Sequence, residues 1–254
     1  MRRPATVRVY GSLGDFLPEP RRGVAFACEV GEPRAAKDLI ESLGVPHCEV
    51  FLVLVDGQSA GLDRVVAGGE RIAVYPHFSE IDAAGCVTAG EPLPQDPRFV
   101  LDGHLGRLAA WLRALGLDTA HDRAADDAAI AEVSAREDRV LLTRDVGLLK
   151  RSLVRHGWFV RATDPAVQLA QVVRRFRLDG RTAPFSRCLR CNTPLTDISR
   201  EDLGRRAPAR VQERFSVFRA CPGCRRVYWP GTHHDRLTRL LVPYVRSAPR
   251  GSHS

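Results

Sequence analysis

The stretch RFVLDGHLGRLAAWLRALGLDTAHD (98–122) decides the fold class. It is continued by DDAAIAEVSARE (126–137), RVLLTRD (139–145), VGLLKRSLVRHG (146–157), WFVRATD (158–164) and PAVQLAQVVRRF (165–176). Short β-branched and aromatic runs alternate here with longer segments of helical apolar spacing. The pattern predicts strands at 98–102, 117–122, 139–145 and 158–164, each followed by a helix. Strands joined by helices need crossovers, which are right-handed and build a parallel sheet, so the expectation is an α/β domain. The helix faces agree: Leu105, Leu108, Leu112 and Leu115 form one apolar stripe, and Leu169, Val173 and Phe176 another.

Upstream, CVTAGEPLPQDP (86–97) holds three prolines without apolar periodicity and reads as a linker. Before it, TVRVYG, VAFACEV, EVFLVLVDG and RIAVYP read as strands. AAKDLIESLG reads as a helix with Leu39, Ile40 and Leu43 on one face and Gly44 as its stop. This pattern resembles the β-grasp, ubiquitin-like sulfur-carrier domains. Such carriers end in a free Gly-Gly, whereas here Gly68-Gly69 precedes the last strand and the chain runs on through HFSEID. A docking or scaffolding role, with a protein partner still to be identified, is therefore expected for this segment. The expected organisation is a β-grasp α+β domain (1–82), a linker (83–97), an α/β domain (98–182), a zinc module (183–245) and a tail (246–254).

The 254 residues are 44% hydrophobic and 27% charged, which suits a folded globular chain. The longest apolar run, Val50 to Val55, is far short of the roughly 18–20 residues that span a bilayer. No secretory signal is visible after Met1, so a cytoplasmic location and no membrane partner are expected. The net charge of +8 is unevenly spread: residues 1–85 carry −3, 86–97 carry −2, 98–182 carry +4 and 183–254 carry +9. A basic C-terminal third suggests a polyanion partner held through its phosphates.

Two constellations carry chemistry. An aspartate closes three predicted strands (Asp102, Asp145, Asp164), and Asp126-Asp127 opens the helix after the remaining one. The C-terminal ends of parallel strands share one edge, where ligands bind. Carboxylates gathered there need cations, and Mg²⁺ or Mn²⁺ suits oxygen donors and phosphodiester cleavage. Each of these aspartates also stands where a helix N-cap belongs, so capping is the competing reading. The second constellation is Cys188-Leu-Arg-Cys191 with Cys221-Pro-Gly-Cys224, two CxxC knuckles that suit structural tetrahedral Zn²⁺. The Arg-rich segment 199–219 between them is expected to loop out. After the second knuckle, RRVYWPGTHHDR offers Tyr228 and Trp229 beside Arg225 and Arg226 for stacking on bases, or alternatively for packing the zinc module.

RFVLDGHLGRLAAWLRALGLDT, DDAAIAEVSARE, RVLLTRD, RCLRCNTPL and CPGCRRVYWPGTHHDR together resemble the PIN-like RNase family named for the C-terminal domain of the mutator-seven exonuclease. Bacterial members similar to this chain carry an N-terminal ubiquitin-like domain, which matches residues 1–82. The resemblance implies a PIN-like parallel sheet with flanking helices, a fused zinc ribbon and metal-dependent RNase activity. It carries the acidic roles to Asp102, Asp126-Asp127, Asp145 and Asp164. Arg107, Arg144 and Lys150 are the expected phosphate contacts near the carboxylates, and Arg225, Arg226 and Trp229 those of the ribbon. The expected partner is RNA, structured or ribosomal. Two rival readings are a non-catalytic RNA- or ribosome-binding adaptor on a PIN scaffold and a toxin-like nuclease.

Overall fold

The computed structural model of the chain describes residues 4–77 and 85–245. Of HFSEID only His77 is among them, and the tail 246–254 and the first two residues of the expected linker lie outside. In chain order the first elements are β1 (Ala5–Val9), β2 (Ala25–Cys28), β3 (Arg34–Ala35), α1 (Ala36–Ser42), β4 (Val50–Val55), β5 (Gln58–Ala60), β6 (Val65–Val66) and β7 (Arg71–Pro76). There follow β8 (Phe99–Leu101), α2 (Gly106–Ala114), β9 (Thr119–His121), α3 (Asp127–Arg136), β10 (Val140–Thr143), α4 (Val146–Leu149), β11 (Gly157–Phe159) and α5 (Pro165–Arg175). The last are β12 (Thr196–Asp197), α6 (Arg200–Leu203), α7 (Ala209–Arg214), β13 (Arg219–Ala220), β14 (Val227–Tyr228) and α8 (Thr232–Val245).

The N-terminal strands make a five-stranded sheet in the order β2-β1-β7-β4-β5. β1 runs antiparallel to β2 and parallel to β7, while β4 is antiparallel to both β7 and β5. This is the ubiquitin-like mixed sheet that the sequence predicts. Strand alternation explains its core: Ala5, Val7 and Val9 point inward with Ile72, Val74 and Val53 and meet Leu39 and Ile40 of α1. The strands predicted between helices also form. β8 pairs in parallel with β9, and β10 pairs in parallel with β11.

The chain divides into two compact units, and both are discontinuous in sequence: Met1–Gln95 with Asp127–Phe159, and Asp96–Asp126 with Val160–Ser254. These units cut across the expected 98–182 run.

In the first unit the ubiquitin-like segment is packed onto the β10–α4–β11 segment. Cys48 Sγ donates to the Leu149 carbonyl (3.4 Å), His47 Nε2 lies 3.0 Å from the Val154 carbonyl, and Lys150 Nζ donates to the Glu41 carbonyl (2.7 Å). The Phe159 amide donates to Glu49 Oε1 (2.5 Å), and Phe16 meets Phe159 edge-on. These contacts explain a departure from expectation. The helix predicted over 146–157 is a single turn ending at Leu149, with β11 starting at Gly157. Cys48 takes the Leu149 carbonyl, which a longer helix would have offered to the amide four residues on.

In the second unit α2 packs on α5, burying Leu108, Leu112, Leu169 and Val173, and Phe99 meets Phe176 edge-to-face at 5.2 Å. The Arg-rich stretch does not loop out as the sequence suggests. It folds into α6 and α7 around a small core of Leu203, Ala207 and Phe218, with Val211, Phe215 and Trp229 packed against it. Apolar residues spaced between the arginines were enough to bury one face.

Candidate metal centre and acidic residues

The four cysteines come together: each offers an Sγ within 4.8 Å of the others, with Cys188–Cys224 at 3.5 Å and Cys191–Cys221 at 3.3 Å. The two knuckles have the same backbone. The Cys188 amide donates to the Thr193 carbonyl and the Asn192 amide to the Cys188 carbonyl; in parallel, the Cys221 amide donates to Arg226 and the Arg225 amide to Cys221. Asn192 and Arg225, the residues after each second cysteine, both take left-handed backbone (φ 70° and 61°). Two like turns each present a pair of thiols to one point, and soft sulfur donors at these separations fit tetrahedral Zn²⁺. Burial acts to raise the Cys191 thiol, but hydrogen bonds from Thr193 and neighbouring cysteines outweigh it and hold it at about 6. Burial and the neighbouring thiols push Cys224 up to about 12. Filling the centre with metal therefore requires proton release.

The first knuckle is bolted to α2 and β9 by a residue that the sequence reading missed. Arg113, buried at the end of α2, donates from Nε to the Thr119 carbonyl (2.8 Å) and from Nη1 to the carbonyls of Leu189 (3.1 Å) and Arg190 (2.7 Å). Asn192 completes the join, accepting from the Thr119 amide and donating to Asp118. Arg113 stands one place off the Leu105–Leu115 stripe, four residues after the fully buried Ala109. That spacing was the available signal.

Each strand-end aspartate caps the helical turn that follows it. Asp102, which is buried, accepts from the His104 amide (2.8 Å). Asp145 accepts from Gly147 (2.6 Å) and Leu148 (3.2 Å), and Asp164 from Ala166 (2.9 Å) and Val167 (3.0 Å). Both bonds of Asp145 and both of Asp164 go to Oδ1, so capping leaves Oδ2 out. Asp127 is the first residue of α3, and Asp126, directly before it, is exposed. Among the described residues the cysteine set is the one group of three or more metal donors within 4.8 Å. Beside Asp102, the structure adds His121, at the end of β9 opposite Leu101; burial lowers its imidazole pKa.

Arg107 and Arg144 are exposed, as are Arg225 and Arg226. Lys150, expected to grip phosphate, donates to the Glu41 carbonyl (2.7 Å). Trp229 is half-buried against the Leu203–Phe218 core, and the Tyr228 hydroxyl lies 3.1 Å from Cys188 Sγ.

Nothing among curated proteins or solved structures matches the chain. Residues 3–82 match the Mut7-C ubiquitin family, and residues 97–241 match the Mut7-C RNAse domain family. With its four strands, its cysteine centre and its strand-end aspartates inside a match that covers more than half of the sequence, the chain belongs to the Mut7-C RNAse domain family.

Proposed function

We propose that the protein is a metal-dependent ribonuclease whose zinc ribbon and basic surface hold the RNA. The observation that carries the reading is the RNAse-domain match over 97–241, which takes in all five aspartates and all four cysteines. Asp102, Asp145 and Asp164, with Asp126 or Asp127, are the candidate ligands of Mg²⁺ or Mn²⁺. That cation would supply an activated water and charge neutralisation at the phosphate. Within the chain, the cap fixes each carboxylate: two amides on Oδ1 hold Asp145 and Asp164 in one rotamer, with Oδ2 outside the cap. Beside Asp102, burial lowers the His121 imidazole pKa and so favours its neutral form, which has a ring nitrogen free of a proton. Exposed Arg107 and Arg144 supply phosphate contacts, and Arg225 and Arg226 extend them over the ribbon.

Asparagine caps helices as well as aspartate does. Asp145→Asn therefore keeps the fold and removes only the charge. Purified wild-type protein is expected to cleave RNA with Mg²⁺ or Mn²⁺ and to stop on chelation. Asp145→Asn should keep its melting temperature and lose cleavage, and full cleavage by this variant would remove the proposed site. A second reading, an RNA-binding adaptor without cleavage, is favoured by the structural work that the three capping aspartates already do. It expects RNA binding that survives both Mg²⁺ removal and Asp145→Asn, with no cleavage by the wild type. Arg225→Gly checks the ribbon's share. Glycine relaxes the left-handed backbone there, so stability should hold while RNA affinity falls.

A further inference from the structure

Beside the ribbon lies a groove of about 610 Å³, formed wholly within the second unit. Its size is that of a small-ligand cleft rather than a packing defect. Phe185, Tyr228, Trp229 and His234 line it, so four flat rings face one cleft. Two of them are already in contact: the His234 ring lies on Phe185 with centroids 4.1 Å apart. The charged and titratable groups of the lining are Arg187, Arg219, Tyr228, His233 and His234, and no carboxylate lines it. Arg187 is committed to backbone carbonyls and Asp118. Arg219 reaches the Phe185 carbonyl and the exposed Asp197. Val217 stands at the groove with 61% of its surface exposed, in a segment that carries +9 over residues 183–254.

An aromatic cleft with basic groups and no acidic ones, on a strongly basic module, complements a ligand with flat apolar faces and an anionic backbone. We infer that this groove takes unpaired bases of a single-stranded RNA segment, stacked among Phe185, Trp229 and His234 with their phosphates towards Arg219 and His233. Bases inside a duplex are stacked on each other and cannot enter, whereas an unpaired base presents its face. The inference deepens the RNA-binding reading proposed above and rests on it: it gives the ribbon a preference for RNA with an unpaired stretch.

The test is fluorescence anisotropy of the full chain with a labelled single-stranded oligouridylate and, separately, a labelled RNA duplex. Val217→Glu changes an exposed side chain and puts a negative charge into the groove without disturbing the core. Single-strand affinity should fall about tenfold, in line with the loss of one stacked base, while duplex affinity stays within a factor of about two. Crosslinking with 4-thiouridine RNA should label peptides containing Phe185, Trp229 or His234. Equal losses on both probes, or unchanged single-strand binding, overturns the groove assignment and leaves RNA binding standing. Crosslinks confined to Arg225 and Arg226 do the same. If wild-type protein binds neither probe, the RNA reading itself fails. A wild-type dimer that Val217→Glu turns into a monomer in light scattering assigns the groove to a second copy instead.

Discussion

Cys48 and Gly157 show how much can hang on one atom. Cys48 is buried with its Sγ on the Leu149 carbonyl, and a Cβ added at Gly157 would lie 2.7 Å from that sulfur and 2.7 Å from Leu149 Cδ2. Gly157→Ala should therefore destabilise the protein by roughly 1–3 kcal/mol, read from denaturant melts, because several packed groups must move together. Burial, and after it the Glu49 charge, lifts the Cys48 thiol well above its ordinary 9.0. A pKa raised by folding stabilises the fold below the unfolded value, and that contribution disappears as pH rises beyond it. Unfolding free energy should fall more steeply above pH 9 in wild type than in Cys48→Ala; equal slopes would remove this role. None of this was visible in the sequence, where Cys48 stands apart from both CxxC knuckles. The capping aspartates are the opposite case. Asp164 followed by Pro165 announced its cap, and the structure shows it with both amides on Oδ1.

Among the elements, the module around the candidate metal centre is small and depends on its ties. The apolar cluster around α6 and α7 is small, with Leu203, Ala207 and Phe218 as its buried residues, so bound metal is expected to supply much of the module's stability. Chelating the zinc should lower the melting temperature and make Cys188 and Cys221, both buried, react with thiol reagents. Metal affinity should fall as pH falls, and fall more steeply below about 6, where Cys191 also takes up a proton. Arg113 is the second support. Replacing it with Met leaves the carbonyls of Thr119, Leu189 and Arg190 without their donor, at a cost of roughly 2–4 kcal/mol. Helix lengths separate local from tertiary causes. α2 and α5 follow their Leu and Val stripes, which local spacing specifies. α4 stops after one turn because α1 and the residues before β4 claim the carbonyls and the lysine around it.

At the scale of the molecule, the N-terminal segment belongs to the first compact unit together with 127–159. A chain starting at residue 86 loses His47, Cys48, Glu49 and Glu41 from that unit. It should melt well below the full chain; equal melting temperatures would show the segment to be an independent appendage. On the proposed reading, in which the +9 segment meets RNA phosphates, RNA affinity should fall steeply between low and physiological salt through counterion release. The sequence by itself determined the element types, the ubiquitin-like and parallel-sheet patterns, the four cysteines of the candidate metal centre and the basic C-terminal third. Each of these is written in local spacing: two-residue alternation, helical stripes, CxxC turns and plain charge count. Only the tertiary structure decided that Arg113 and Asn192 bolt a knuckle to β9, that Lys150 serves the fold, that 199–219 has a core, and that four rings line a groove. Those outcomes depend on pairs separated by tens of residues, whose meeting is set by packing and hydrogen-bond satisfaction rather than by any local pattern.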